Sequence, residues 1–470
     1  MSVASPNSSP SSAGRGTEST ADYGKTASFL AIGVGLTGVI TYVYFFIASH
    51  VLSKPDYGQI TVLWSAVFIT ISTLYRPIEQ LLSRNIAQHT VKGEPISGTM
   101  RVASTIQLGL SLSFAVIALA LRGPIQNGVL EGNETLYWVF FSAVLFYAAS
   151  YFARGFLAGS KRFGLFVALI LSESCFRTIF AVLVAVSILS GQSAVAIGIV
   201  AAPALSLMVV PFAFARRARR EGAAAPSRPA SDEDDSSVSM AKGGGFAAAV
   251  LVIMFSEQAF LNTGPLAIRS LQDAAAAGFI FNVLMIARAP LQLFQAVSTS
   301  ILPHLTSLHT SEEPGSEDEF HRSVRMVLLG LLTFTALALI FMAAVGPKAM
   351  QIAFSNKFTY DREGLLLVTL GMGLYLGSVT VNQACIAQGQ VRRAAARWIT
   401  CAALFIGWNF VPLVSNEYRR VEIGFLLAAG VLFSLLYYVY RRPHERAEDV
   451  PMPGSPEELE AELAMIDENV

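Results

Sequence analysis

The feature that most constrains this chain is a succession of apolar runs about 20 residues long, of which "FLAIGVGLTGVITYVYFFIA" (29–48) is the first. A helix rises about 1.5 Å per residue and the hydrocarbon core of a bilayer is about 30 Å thick, so a run of that length crosses it. The sequence predicts about twelve such helices, near residues 26–50, 58–82, 102–121, 136–158, 163–189, 193–215, 245–267, 275–301, 325–345, 364–388, 394–413 and 421–440. In hydrocarbon the backbone must satisfy its own hydrogen bonds, which makes the fold class an all-α polytopic membrane protein.

Composition agrees. Of the 470 residues 53% are hydrophobic and 14% charged, with mean hydropathy +0.53, where soluble domains carry about 25% charged residues. The 33 Lys and Arg balance the 33 Asp and Glu, so net charge offers nothing to a nucleic acid. Cys175, Cys385 and Cys401 all fall in apolar segments and suggest neither disulfides nor a metal site. No cofactor is expected. No nucleotide-binding glycine motif is present, the odd-numbered loops are too short to build a pocket around Glu131 with Glu134 or Asp361 with Glu363, and the chain is not expected to be an enzyme.

Basic residues collect after the even-numbered helices: Arg84, Lys92 and Arg101; Arg154, Lys161 and Arg162; Arg216, Arg217, Arg219 and Arg220; Arg322; Arg392, Arg393 and Arg397; Arg441, Arg442 and Arg446. By the positive-inside rule those loops and both termini are cytoplasmic. Residues 1–25 read as a polar tail and 26–215 as a six-helix lobe. Residues 216–244 form a cytoplasmic linker, 245–441 a second six-helix lobe, and 442–470 an acidic tail in which "SPEELEAELAMI" suits a short helix. The lobes resemble each other: "DYGQITVL" (56–63) answers "AAGFIFNVL" (276–284), and "ARGFLAGSKRF" (153–163) answers "NQACIAQGQVRR" (382–393). This reads as a parallel repeat, with Gly58 matched to Gly278 and Gly159 to Gly389.

Against this background the charges inside the spans demand an explanation, since an arginine at mid-helix costs about 2.5 to 3.5 kcal/mol on insertion scales. Thr73, Arg76, Gln80, Ser83 and Arg84 fall mostly on one face of the second helix; Arg288, Gln292, Gln295 and Thr299 do so in the eighth. Two readings stand open for Arg76 and Arg288: they line a wet cavity between the lobes, or they pair with a carboxylate or carbonyl and fix packing. Arg84 reads as an interfacial anchor. Glu173 and Arg177 are four apart in the order that favours a helical ion pair, a structural one. Glu257 has no basic residue one turn away, with Asn262 and Thr263 above it, and is a candidate for a proton or cation site or for pairing with Arg288.

"VLSKPDYGQITVLWSAVFITISTLYRPIEQLLSRNIAQ" (51–88), "YFARGFLAGSKRFGLF" (151–166) and "AAAAGFIFNVLMIARAPLQLFQAVSTSILPHL" (274–305) resemble the polysaccharide-export, or Wzx-type, branch of the multidrug/oligosaccharidyl-lipid/polysaccharide (MOP) flippase superfamily. The resemblance implies two six-helix lobes in a V, of MATE-like fold, around a central cationic cavity. It implies a flippase that exports a polyprenyl-pyrophosphate-linked oligosaccharide across the cytoplasmic membrane, with the lipid-linked glycan and membrane lipids as partners and glycan polymerases or glycosyltransferases as neighbours. On it, Arg76, Gln80, Asn262, Arg288, Gln292 and Gln295 are candidates for the cargo and Glu257 for the coupling ion. The first helix lacks the acidic cation site of many drug-exporting relatives, which leaves the coupling ion open. A MATE-like drug or cation exporter is the nearest rival, and a membrane glycan polymerase or glycosyltransferase a more distant one.

Overall fold

A computed structural model describes residues 20–92, 95–209, 211, 237–286, 288, 290 and 316–442. Its helices are α1 (Thr20–Val51), α2 (Lys54–Leu74), α3 (Arg76–Lys92), α4 (Ser97–Ala120), α5 (Glu134–Gly159), α6 (Phe163–Ala185), α7 (Gly191–Ser206), α8 (Ser237–Leu271), α9 (Ala274–Ile286), α10 (Ser316–Phe354), α11 (Arg362–Ala387), α12 (Val391–Phe410) and α13 (Glu417–Arg441). Each expected span contains a described helix. Among the described residues nine stretches are long and apolar enough to cross a membrane, α2 with most of α3 forming one of them. Of the rest, α7 and α9 are shorter, and α12 carries Arg392, Arg393 and Arg397 in its first two turns. Large apolar side chains such as Ile32, Leu108 and Ile340 stand outward with no protein over them, as lipid-facing residues do.

Three boundaries differ from the sequence reading. The second span is broken at Tyr75, because Pro77 has no N–H to give the preceding turn and its ring crowds that turn's carbonyl. Helix α1 begins at Thr20 and α8 at Ser237, several residues before the apolar runs. The rest of the linker, the C-terminal "SPEELEAELAMI" and both Gln292 and Gln295 lie outside the described residues.

Helix ends carry the repeat more clearly than the sequence does. Ser53 caps α2 by accepting from the Asp56 N–H at 3.3 Å, and Asp273 accepts from the Ala276 N–H at 2.8 Å at the start of α9. Asn133 accepts from the Leu136 N–H at 3.1 Å and Asp361 from the Gly364 N–H at 2.8 Å, opening helices of 26 residues each. These two helices close alike: Lys161 and Gly389 both take a positive φ, 54° and 73°, each flanked by the same pattern of backbone bonds. The register therefore equates Gly389 with Lys161 and not with Gly159, whose own constraint is packing: a Cβ there would stand 2.6 Å from the Ser83 carbonyl. Gly58 and Gly278 are equivalent, as the sequence reading had them.

Packing repeats too. Helix α1 lies on α6 as α8 lies on α12; α5 on α7 as α11 on α13; α6 on α7 as α12 on α13; and α4 on α5 as α10 on α11. Gly155 and Gly159, four residues apart on α5, let α3 approach so closely that a Cβ at Gly155 would meet the Glu79 backbone at 2.7 Å. The lobes touch where α2 meets α8 and α9 and where α1 meets α10. At the first of these, Gly58 abuts α9 so tightly that an added Cβ would fall 1.7 Å from the Ala274 carbonyl oxygen; one at Gly278 would stand 3.0 Å from the Gly58 Cα.

Candidate substrate path and the buried charges of the two lobes

Just inside the broken second span, Arg76 opens α3 half-buried, with Gln80 exposed one turn on. Arg76 is within electrostatic reach of Glu79 on its own helix and of Tyr375 on α11 of the other lobe. Glu79 is drawn toward α5, where it lies within reach of Arg154.

Deeper in the same lobe lies an ionic group larger than the expected pair. Glu173 Oε1 takes a 3.2 Å bond from Arg177, as its spacing predicts, but Glu173 Oε2 takes a 2.5 Å bond from Arg154 and another from the Ser150 hydroxyl at 3.2 Å. Arg177 also donates to the Tyr147 hydroxyl at 3.2 Å and stacks over the Trp64 ring at 4.5 Å. Arg154 stacks over Tyr151 at 4.7 Å. One carboxylate thus serves two guanidiniums, and the Nε of each arginine lacks a hydrogen-bond partner.

Arg154, which falls within the span expected at 136–158, belongs to the interior of that span and not to the loop that follows. Counted from sequence among the cations of an even loop, it sits inside α5, more than one turn before the helix ends at Gly159. A signal was present: Gly155 and Gly159 mark a helical packing face that must continue past Arg154.

In the C-terminal lobe Arg288 is buried and held by its neighbours. Its guanidinium donates to the Leu261 carbonyl and, at 3.0 Å, to Asn262 Oδ1, and stands 4.5 Å over the Phe281 ring. Asn262 in turn donates to the Gln258 carbonyl at 3.0 Å. Arg288 and Asn262 therefore form one unit that ties α9 to α8. Because Gly58 corresponds to Gly278, Arg288 corresponds to Phe68 and stands about two turns nearer the odd loops than Arg76 does. The two arginines are therefore not equivalent: Arg76 opens α3 past the break, whereas Arg288 follows α9 at the level of Phe68 in α2. Glu257 is half-buried on α8, and its backbone carbonyl accepts from the Tyr375 hydroxyl at 3.5 Å.

Between the odd loops the lobes are closed. Tyr57 donates to Asn282 Oδ1 at 2.5 Å, and Asn282 donates to the Tyr360 hydroxyl at 2.9 Å. Glu131, in an odd loop too short to build a pocket, takes a 3.3 Å ion pair from Arg269 across the lobes and a hydrogen bond from Gln59. A cavity of about 390 Å³ beside this seam is lined by Lys54, Asp273, Phe279, Phe358, Asp361 and Arg419 among others. Asp361 lies outside the spans: burial pushes its carboxyl up, but the Gly364 N–H and the Arg419 guanidinium at 2.7 Å together hold it below the usual carboxylate range. Among the described residues no group of three His, Cys, Asp or Glu side chains is placed to hold a metal ion.

No protein-family model and no curated protein matches the sequence. Solved structures do match the fold. A multidrug-resistance MATE family transporter of the MOP superfamily in an inward-facing conformation aligns with TM-score 0.66 over 88% of this chain and 97% of its own, at 9% identity. The eukaryotic MATE transporter AtDTX14 aligns with TM-score 0.58 over 90% and 96%, at 15% identity. A MOP superfamily transporter from Pyrococcus furiosus, described as having a binding pocket of reverse polarity that suggests a different function, aligns with TM-score 0.59 over 88% and 95%, at 11% identity. The chain is a multi-pass membrane protein with the fold of MATE-like transporters of the MOP superfamily.

Proposed function

We propose that this chain is a flippase that moves a polyprenyl-pyrophosphate-linked oligosaccharide outward across the cytoplasmic membrane by alternating access. The observation that carries the proposal is Arg76, half-buried at the break between α2 and α3 and one turn from exposed Gln80. A pyrophosphate-sugar headgroup is anionic and hydrated, so its path needs polar walls and guanidiniums that can grip phosphate oxygens two at a time. The prenyl chain stays in lipid beside the gap. Arg154 and Arg177 are matched by Glu173 and Glu79, which leaves Arg76 as the arginine of this region free of an ion pair among the described residues. A cation exporter would need carboxylates in excess instead. One transporter of this fold is described as having a pocket of reverse polarity that suggests a different function.

On this reading Arg288 and Asn262 are the C-terminal lobe's candidates for the cargo and Glu257 for the coupling ion, while Gln292 and Gln295, the further cargo candidates, lie outside the described residues. By the positive-inside rule the even loops and both termini face the cytoplasm, and the closed odd-loop seam is then the outer gate. Glycosyltransferases or a glycan polymerase on either side of the membrane would supply and consume the cargo.

The test is flipping of a lipid-linked oligosaccharide by purified protein in proteoliposomes. Arg76→Ala is expected to lose about ten-fold to a hundred-fold in transport, the equivalent of one charge-assisted contact, with an unchanged melting temperature. Arg288→Ala is expected to lose melting temperature as well, because it unties α9 from α8. Full activity of Arg76→Ala sinks the cationic path, and efflux of a cationic dye without flipping hands the protein to the rival reading.

A further inference from the structure

Resting on the alternating-access part of that reading, we infer that Lys357 is the latch of the odd-loop gate: a cation from one lobe that caps a helix of the other. Helix α1 ends at Val51, and the carbonyls of its last turn have no partner within the helix. They also carry the negative end of the helix dipole. Lys357, in the loop between α10 and α11 of the C-terminal lobe, brings its Nζ to three of the carbonyls there: Leu52 at 2.6 Å, His50 at 2.9 Å and Ser49 at 3.5 Å. The ammonium has three hydrogens and no preferred plane, which suits three convergent carbonyls better than a guanidinium fork does.

The bond cannot survive lobe separation. A capping group on the same lobe would travel with its helix, but this one belongs to a loop that moves with the other lobe. Its neighbours share the property: Lys54 of the N-terminal lobe lies 5.9 Å over the Phe358 ring, one residue beyond Lys357. The Lys357 backbone N–H is itself fixed by the Ser355 hydroxyl at 3.4 Å, so the side chain leaves from a held turn. Lys357 is accordingly a positioning residue for the closed state and takes no part in binding cargo.

The experiment measures the gap directly. Spin labels at Val51 and Thr359, both exposed and on opposite sides of the seam, report lobe separation by double electron–electron resonance, with exposed Cys175 first replaced by serine. In the otherwise unaltered protein a single short distance is expected. Lys357→Met, which keeps the aliphatic stem and removes the ammonium, is expected to raise the ratio of separated to closed molecules about ten-fold or more, while Lys357→Arg retains part of the closed population. An unchanged distance distribution in Lys357→Met overturns the proposal. So does a fall in melting temperature without separation, which would make the lysine a support of its own loop. The readout needs no cargo: a distance shift in a protein that does not flip lipid-linked oligosaccharide retires the cargo and keeps the latch.

Discussion

At one level of the membrane the two lobes hold equivalent positions with opposite chemistry. In the N-terminal lobe Tyr147, Ser150, Arg154, Glu173 and Arg177 form an ionic group. Their counterparts by helix register are Tyr375, Ser378, Asn382, Cys401 and Phe405. There Tyr375 packs among Phe260, Trp398 and Phe425, with Phe260 also stacked on Phe405, and Asn382 accepts from the Trp398 indole at 3.0 Å. The scaffold is common and the interior is not. An aromatic core gains from packing alone. An ionic one must recover the hydration it gives up, and does so only while every partner is in place. One lobe is therefore tolerant in its core and the other brittle.

The largest expected contrast lies at Glu173 and Cys401. Glu173→Ala leaves two buried guanidiniums without their carboxylate, expected to cost about 3 to 5 kcal/mol, while Cys401→Ala should cost about 1 kcal/mol. Comparable losses of melting temperature in purified protein would break the contrast. Exchanging Glu173 with Arg177 sharpens it: a simple pair would recover stability on charge reversal, but here the new arginine at 173 would face Arg154, so the double variant is expected to be no better than the worse single.

Next comes the tyrosine pair. Tyr147→Phe removes the acceptor of a guanidinium N–H and is expected to cost about 1.5 to 3 kcal/mol. Tyr375→Phe removes only a long bond to a carbonyl and should cost about 0.5 kcal/mol. Equal shifts in chemical denaturation would show that the ionic group does not depend on Tyr147.

The smallest effect separates the caps Asn133 and Asp361, each worth about 1 kcal/mol at neutral pH. Only Asp361 titrates. With its carboxyl held below the usual range in the folded protein, the unfolded chain binds more protons in that window, so its contribution is intact above about pH 4 and is lost as pH falls further. The difference in melting temperature between Asp361→Ala and the parent should shrink from pH 7 to pH 3, whereas the Asn133→Ala difference should hold. A constant Asp361 difference would discard the charge-assisted cap.

What could be read beforehand divides along physical lines. That the chain crosses the membrane many times follows from apolar length, which the bilayer enforces on any sequence, and Gly58 with Gly278 was visible because a glycine at a backbone crossing leaves no substitute. The pairing of Glu173 with Arg177 was visible because it lies within one helix. Arg154 was not, because its partner comes from a neighbouring helix whose rotation no single segment specifies. The same limit applies to Arg288: its anchors, Leu261 and Asn262, are on another helix, one a backbone oxygen that every residue possesses. The register of Gly389 was missed because glycine serves two unrelated needs, a left-handed turn there and close packing at Gly159.

The near-contact of Gly58 with Gly278 has a consequence for how such a chain can change. In a symmetric dimer, a residue on the two-fold axis meets its own copy, so any side chain introduced there arrives twice in the same small volume. This chain brings the two halves of its repeat together in that way, yet its two positions are encoded separately, and a methyl group could in principle be added to one alone. At Gly58 even that single addition would strike the Ala274 carbonyl oxygen at 1.7 Å, so the steric veto of a homodimer survives in a fused chain that is formally free of it.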